Sequence, residues 1–99
     1  MVNGIKVKNI EGIERLEEHI WKLFELIKIA NAIRKAYRAY QTQQSEEPVD
    51  FVFSIRDTIR CARRLNKYSD VKALVMDTIL PKVSSPLERE ILKSLIERV

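Results

Sequence analysis

One segment of the sequence concentrates side chains that could bind an anion. Residues 54–67, SIRDTIRCARRLNK, carry five positive charges and one negative charge. Taking these from the 18 basic and 14 acidic residues of the chain leaves 13 of each, so the segment holds the whole net charge of +4. Guanidinium and ammonium groups on one side of a helix can contact nucleic-acid phosphates or a nucleotide, or can simply face water. The basic residues of this stripe are Arg56, Arg60, Arg63, Arg64 and Lys67.

Catalytic chemistry has no comparable set of residues. The sequence contains no glycine-rich phosphate loop, no GxSxG or HExxH motif, and no pair of carboxylates in an apolar setting. His19 stands alone beside Glu18, which favours a partly exposed ion pair over a catalytic role. The single cysteine, Cys61, excludes an internal disulfide and is best explained as a small buried side chain. We therefore expect no enzymatic activity, no metal site and no cofactor bound by the chain alone.

A long first helix is predicted at residues 13–43, which contain no Gly or Pro. Its apolar residues recur at helical spacing, at positions 13, 16, 20, 23, 24, 27, 30, 33, 37 and 40. A helix of this span is about 45 Å long, which is long for so small a domain. We expect it either to kink near residues 29–31 or to bury part of its apolar surface against a partner. Its aromatic residues favour a dimer formed through a face that contains Trp21, Phe24, Tyr37 and Tyr40.

Three shorter helices are predicted after it, at residues 55–66, at residues 70–80 ahead of Pro81, and from Pro86 onward. The predicted N-cap residues of the three helices are, in order, Ser54, Ser69 and Ser85. The first and third helices also have a capping-box acid, Asp57 and Glu88 respectively. Alternation at residues 5–8 and an apolar run at residues 50–53 add at most a minor two-stranded element. The predicted fold class is all-α, a single four-helix domain over residues 1–99.

The expected core follows the apolar spacing of these helices. The second helix is predicted to bury Ile55, Ile59, Ala62 and Leu65. The core residues expected for the whole chain are Ile20, Phe24, Ile27, Ile33, Tyr37, Phe53, Ile59, Ala62, Leu65, Leu74, Val75, Ile79, Ile91 and Leu95.

The second and third helices have the layout of a helix–turn–helix, in which the second helix of the motif contacts bases. That helix, at residues 70–80, carries one basic residue, two acidic residues and mostly apolar ones. It would repel DNA, so sequence-specific binding is not expected. Two alternatives stay open for the basic stripe, which are contact with a nucleic-acid backbone and a solvated face paired with acids such as Glu14, Glu17 or Glu18.

The segment Ser54-Ile55-Arg56, followed by an amphipathic helix, resembles the sensor-2 motif of AAA+ ATPases. More particularly, SIRDTIRCARRL is similar to the Ser-x-Arg helix in the C-terminal lid of the MoxR-like and CbbQ-like branch. LIKIANAIRKAYRAY resembles the first lid helix of that branch, and DVKALVMDTILPKVSSPLEREILKSLIERV resembles its closing helices. The resemblance covers about residues 20–99.

The resemblance implies a helical lid in which Arg56 contacts the γ-phosphate of a bound ATP. The chain departs from the branch at Ile55, where Pro or Thr is usual, and it has no Walker A motif, Walker B motif or arginine finger. ATP would therefore be a cofactor only if another chain supplied the ATPase core.

Two functions from different classes follow from these patterns. The leading hypothesis is a non-catalytic, lid-like helical module that acts by protein–protein contact with a partner or with a second copy. The alternative is a free-standing small basic protein that is homo-oligomeric or binds a nucleic-acid backbone through the stripe. The isoleucine-rich, highly charged composition is typical of proteins from hot environments, such as those of archaea and their viruses.

Neither a membrane partner nor export is expected. The most apolar stretch, IWKLFELIKIANAI, is interrupted by Lys22, Glu25 and Lys28, which a membrane span would not tolerate. The first residues contain no apolar signal-peptide region, so we expect a location in the cytoplasm, which is the host cytoplasm if the protein is viral.

Overall fold

The computed structural model describes the backbone of residues 2–99 and the side chains of residues 17–99. Within residues 2–99 it contains four α-helices and no strand. The helices are α1 (Val2–Gln41), α2 (Ile55–Arg64), α3 (Val71–Ile79) and α4 (Pro86–Arg98). Single turns of 3-10 helix, Leu65–Lys67 and Leu80–Lys82, directly follow α2 and α3. The predicted all-α class, with four helices and a long first helix, is confirmed.

The two-stranded element predicted at residues 5–8 and 50–53 is wrong. Residues 5–8 lie within α1, and residues 50–53 form an irregular segment between α1 and α2. Two backbone groups of that segment bond to side chains instead of to a neighbouring strand. The Phe51 N–H donates to Glu88 Oε2 at 3.0 Å, and the carbonyl of the fully buried Phe53 accepts from Arg34.

Helix α1 runs along the whole molecule. Its 40 residues correspond to about 60 Å at 1.5 Å per residue, and the longest dimension of the molecule is 61 Å. The helix continues through residues 29–31 without interruption, so nothing in its helical assignment marks the kink that was one of the two alternatives there. It ends in a turn in which Gln43 has a φ of 61°, in the left-handed region. The Gln44 N–H donates to the Ala39 carbonyl at 2.8 Å, which closes the last turn.

The core lies between one side of α1 and the three shorter helices, each of which contacts α1. Four fully buried residues of α1 form that side, and their spacing of three and four places them together. They are Leu26, Ile29, Ala30 and Ile33.

The predicted core was correct for α3 and wrong for much of α1 and α2. The predictions confirmed as buried are Ile33, Phe53, Leu65, Leu74, Val75 and Ile79. Those that are partly buried and pack against the core are Tyr37, Ala62, Ile91 and Leu95. Those that are exposed, against prediction, are Ile20, Phe24, Ile27 and Ile59. The errors share one cause, which is that both helices carry apolar residues on more than one side.

Side chains cap α2 and α4 where the sequence predicts it. Ser54 and Asp57 form a complete capping box at the start of α2. Ser85 Oγ accepts the Glu88 N–H at 3.3 Å, but the Glu88 carboxylate does not return to Ser85. It accepts the Phe51 N–H instead, which attaches the segment before α2 to α4.

The start of α3 differs from the prediction by one residue. Its N-cap is Asp70, whose side chain accepts the Lys72 N–H at 3.0 Å, and Ser69 lies outside the cap. The α-helix ends at Ile79, and Pro81 occupies the 3-10 turn that follows. This turn positions Lys82 beside α2.

Candidate interaction surfaces

Helix α2 is rotated from the orientation that its apolar residues predict. The side that faces the core consists of Asp57 and Cys61, continued by Leu65 in the following turn. Ile55 and Ile59, which were predicted to face the core, are 74% and 48% exposed. At 3.6 residues per turn, the buried side lies about 100° around the helix from the predicted one. The outer side of α2 therefore combines apolar and basic residues.

A buried carboxylate accounts for this rotation. Asp57 accepts the Ser54 N–H at 3.1 Å and the Ser54 hydroxyl at 2.8 Å, and it pairs with the Lys82 ammonium. Burial raises the pKa of the Asp57 carboxyl, but the hydrogen bonds from Lys82 and Ser54 outweigh burial and hold the net pKa below its ordinary value. A buried charge needs such partners, so the side of α2 that carries Asp57 faces the turn that carries Lys82.

Arg34 of α1 holds the first turn of α2 in place. Its Nε donates to the Phe53 carbonyl at 2.9 Å, and its Nη2 donates to Thr58 Oγ1 at 3.1 Å. Its guanidinium carbon also lies 5.9 Å from the centre of the Phe53 ring, within the range of a cation–π contact. The sequence gives no signal for this role, because the partners of Arg34 become its neighbours only in the folded chain.

Four members of the predicted basic stripe face outward. Arg56, Arg60, Arg63 and Lys67 are exposed. Within residues 17–99 the ion pairs are Lys22–Glu18 and Lys82–Asp57, so none of these four basic residues is paired with a described acid. The acidic partners that a solvated, internally paired stripe would require are therefore not supplied by residues 17–99.

Arg64, the fifth member, is part of the internal structure. It donates to Thr78 Oγ1 at 3.3 Å and to the Tyr68 hydroxyl at 3.0 Å, and it lies 5.4 Å from the centre of the Tyr68 ring. The Tyr68 hydroxyl in turn donates to Asp77 at 2.8 Å, and this hydrogen bond raises the pKa of Tyr68. These contacts join the end of α2 to α3, so Arg64 differs from the four exposed members of the stripe.

The outer side of α2 forms a shallow groove of mixed character. Its lining includes Ile55 and Ile59 together with Arg56, Arg60 and Arg63. Exposed isoleucines beside guanidinium groups can contact apolar and anionic parts of one partner at the same time. Sequence analysis missed this character because it assigned both isoleucines to the core.

Arg56 occupies the position that the AAA+ resemblance emphasises. It lies in the first turn of α2, two residues after the Ser54 cap, and its side chain is exposed. It lines the groove on the outer side of α2, where it makes no hydrogen bond to another residue in the range 17–99. The Arg56 side chain is therefore accessible from outside the described part of the chain.

The exposed side of α1 is a second candidate surface. We call it the outward face of α1, and its residues are Glu17, Ile20, Trp21, Phe24, Ile27, Lys28, Asn31, Lys35 and Arg38, all of them exposed. Its centre is apolar, with Trp21 70% and Phe24 53% exposed, and their rings meet edge to face with centroids 6.0 Å apart. Val99 lies beside this apolar centre and lines a shallow groove together with Trp21 and Phe24. The outward face is opposite the side of α1 that packs against α2–α4.

The four aromatic residues predicted to form one dimer face do not share a surface. Trp21 and Phe24 lie on the outward face of α1, whereas Tyr37 packs against the core from another side. Tyr40 is half-buried near the end of the helix. A contact through this helix would therefore use the apolar residues around Trp21 and Phe24 without the two tyrosines.

The single cysteine of the chain is in an unreactive setting. Cys61 is fully buried, and burial raises the pKa of its thiol. A protonated and inaccessible thiol is a poor nucleophile. Among residues 17–99, no group of three or more His, Cys, Asp or Glu side chains is placed to hold a metal ion.

Comparisons of the chain with protein-family models, with curated proteins and with solved structures found no match. In the part of the chain that the structure describes, no helix has the length and apolar character needed to cross a membrane. The two surfaces, on α1 and on α2, are therefore the features from which a function can be inferred.

Proposed function

We propose that this chain is a non-catalytic helical interaction module that acts by protein–protein contact through the outward face of α1. The observation that carries the proposal is the exposed apolar centre of that face, where Trp21 and Phe24 are in contact. Single exposed apolar residues are ordinary on a soluble protein, but a contiguous group of them indicates a contact surface. Aromatic side chains also contribute most strongly to binding energy at protein interfaces.

The surroundings of the apolar centre support a protein partner. Glu17 lies before it along the helix, and Lys28 and Lys35 lie after it. An apolar centre with a charged rim is the usual anatomy of a protein–protein interface. Because of this rim, binding depends on the charge of the partner as well as on apolar burial, which gives selectivity among partners.

The resemblance to AAA+ lids suggests one kind of partner, a nucleotide-binding domain on another chain. In that arrangement Arg56 would contact the γ-phosphate of ATP held by the partner. Arginine suits this role because it stays charged and can direct two donors at phosphate oxygens. The exposure of Arg56 in the first turn of α2 is compatible with the role.

The proposal is tested by removing the apolar centre. The measurement is chemical cross-linking of the chain to itself or to other proteins of the cell that produces it. Trp21→Ser combined with Phe24→Ser should abolish the cross-linked species that the wild-type chain forms. The matched control is Ile55→Ser combined with Ile59→Ser, which removes two exposed apolar side chains from α2. Both double variants should keep the helical circular-dichroism signal, because exposed side chains contribute little to stability. Identical cross-linking of the wild type and the α1 variant would contradict the proposal.

A second candidate function is binding to a nucleic-acid backbone through α2. It is favoured by the exposure of Arg56, Arg60, Arg63 and Lys67 without an acidic partner among residues 17–99. Basic side chains that neutralise phosphates release counterions, so the affinity should fall steeply as salt is added.

Duplexes of unrelated sequence test this candidate. Arg60→Ala combined with Arg63→Ala should weaken binding to all of them by a similar factor. The control, Lys35→Ala combined with Arg38→Ala, removes the same charge from α1 and should leave the affinity almost unchanged. Absence of binding at about 50 mM salt would eliminate the candidate.

A further inference from the structure

The outward face of α1 changes in character along the helix. Glu17 gives it an acidic end, Trp21 and Phe24 lie in its apolar centre, and Lys28 and Lys35 give it a basic end. Arg38, on the same face, follows Lys35 and extends the basic end. A surface with the order acidic, apolar, basic is complementary to itself when a second copy is turned end to end. Each acidic end then meets the basic end of the other copy.

The spacing of the outward face is that of a helix–helix seam. Its residues 17, 21, 24, 28, 31, 35 and 38 follow alternating steps of four and three. This spacing keeps one stripe of a helix directed at a partner helix, and the apolar members of the stripe are Trp21 and Phe24. Ile20 and Ile27 flank the seam and widen its apolar centre.

We propose that two copies of this chain associate through the outward faces of α1, as an antiparallel helix pair with two-fold symmetry. The inference rests on the proposed function, since it names a second copy of the chain as the partner of the same surface. The opposite side of α1, which includes Leu26 and Ile33, is already covered by α2–α4. Two copies can therefore meet through α1 while their shorter helices remain on the outside of the pair.

The apolar centre sets the register of the pair. With the two-fold axis next to Phe24, the two Phe24 rings meet near the axis, and Ile20 of each copy lies opposite Ile27 of the other. Glu17 of each copy then lies within about one turn of Lys28 of the other copy. Helices in contact are about 8–10 Å apart, a distance that the long side chains of Glu and Lys can bridge.

A parallel pair would use the same apolar residues with the opposite electrostatic result. It would place Glu17 against Glu17 and Lys28 against Lys28, and like charges at an interface are unfavourable. The order of charges along α1 therefore selects the antiparallel pair.

Self-association is measured by sedimentation velocity over a range of protein concentrations. Trp21 is the single tryptophan of the chain, so its fluorescence reports directly on the surface involved. Dimer formation should shift the Trp21 emission to shorter wavelength as the exposed indole becomes buried. Phe24→Ser should raise the dimer dissociation constant at least about tenfold, and the control Ile55→Ser should leave it unchanged.

Charge reversal tests the antiparallel arrangement. Glu17→Lys alone and Lys28→Glu alone should each raise the dissociation constant about fivefold or more at low salt, because each creates two like-charge contacts in a symmetric pair. The double variant Glu17→Lys/Lys28→Glu should restore the wild-type value. Added salt should reduce all of these differences. In a parallel pair, each reversal would exchange one like-charge contact for another, and none of the three variants would differ from the wild type.

The outcomes separate this inference from the function on which it rests. A dimer that Phe24→Ser weakens but that the charge reversals do not affect would overturn the antiparallel pair and retain protein–protein contact. A wild-type chain that stays monomeric to millimolar concentration would also overturn the inference. The proposed function would then stand only if Trp21→Ser/Phe24→Ser abolished contact with a different protein.

Discussion

Replacing Asp57 with Asn should destabilise the fold by about 2 kcal/mol at neutral pH. Asp57 is buried, but its partner Lys82 keeps 37% of its side chain exposed. The pair therefore lies between an exposed ion pair, worth about 0–1 kcal/mol, and a buried pair, whose disruption costs about 3–5 kcal/mol. The amide of Asn has almost the same size and can still accept one hydrogen bond from Ser54, so the loss is mainly that of the charge.

Thermal unfolding followed by circular dichroism measures this loss. In a domain of this size, 2 kcal/mol corresponds to a fall in Tm of about 10 °C. The pKa of Asp57 in the folded chain lies below its ordinary value of 3.8. Its stabilising effect is therefore present above the unfolded-state pKa and is lost as the pH falls through the lower folded-state pKa. The wild type and Asp57→Asn should accordingly converge in stability as the pH falls below the folded-state pKa of Asp57.

A matched control separates this pair from a general effect of removing acid. Asp50→Asn removes an exposed carboxylate whose hydrogen bond, from Gln41 Nε2 at 3.4 Å, is long, and it should change stability by less than about 0.5 kcal/mol. Lys82→Met should reproduce most of the effect of Asp57→Asn. Equal Tm values for the wild type and Asp57→Asn at neutral pH would refute the reasoning. A difference that persisted undiminished once acid had protonated the Asp57 carboxyl would refute the assignment of the effect to the charge.

Three further predictions concern other contacts of the fold. Arg34→Met should lower the free energy of unfolding, measured in urea, by about 2 kcal/mol, because the Phe53 carbonyl loses a charged donor. Arg34→Lys should recover only part of this loss. An unchanged urea midpoint for Arg34→Met would contradict the prediction. Gln43→Gly should raise the free energy of unfolding by about 0.5–1 kcal/mol, since glycine adopts the left-handed conformation without strain, and a lower urea midpoint would count against it. Cys61 should react with a thiol reagent far more slowly in the native protein than in urea, and equal rates would show that it is not buried.

The sequence predicted the number and approximate positions of the helices because the signals for them are local. Ser54 with Asp57, and Ser85 with Pro86, are capping patterns whose partners lie within four residues along the chain. The one cap that was misplaced, at Ser69 instead of Asp70, involves two adjacent residues that are both able to cap a helix.

The sequence did not predict which sides of α1 and α2 face the core, because that choice depends on contacts between distant parts of the chain. In α1, Phe24 and Leu26 are equally suited to burial, and only the packing of α2–α4 selects the side that carries Leu26. In α2, two isoleucines are exposed while a carboxylate is buried, since Lys82 approaches from the turn after α3. The candidate surfaces arise from these two choices, so the basic residues of α2 and the exposed Trp21 could be predicted, whereas the exposed isoleucines of both helices could not.

The two apolar sides of α1 leave it unusually little room for sequence change. An ordinary surface helix has one apolar stripe, and most of its circumference accepts polar substitutions. Beside the apolar centre of the outward face, the tolerant positions of α1 are confined to narrow seams between the two sides, such as the one that contains Glu18 and Glu25. Natural variants of this chain should therefore differ more on the solvated side of α4, for example at Glu90 and Lys93, than at Trp21 and Phe24 of α1.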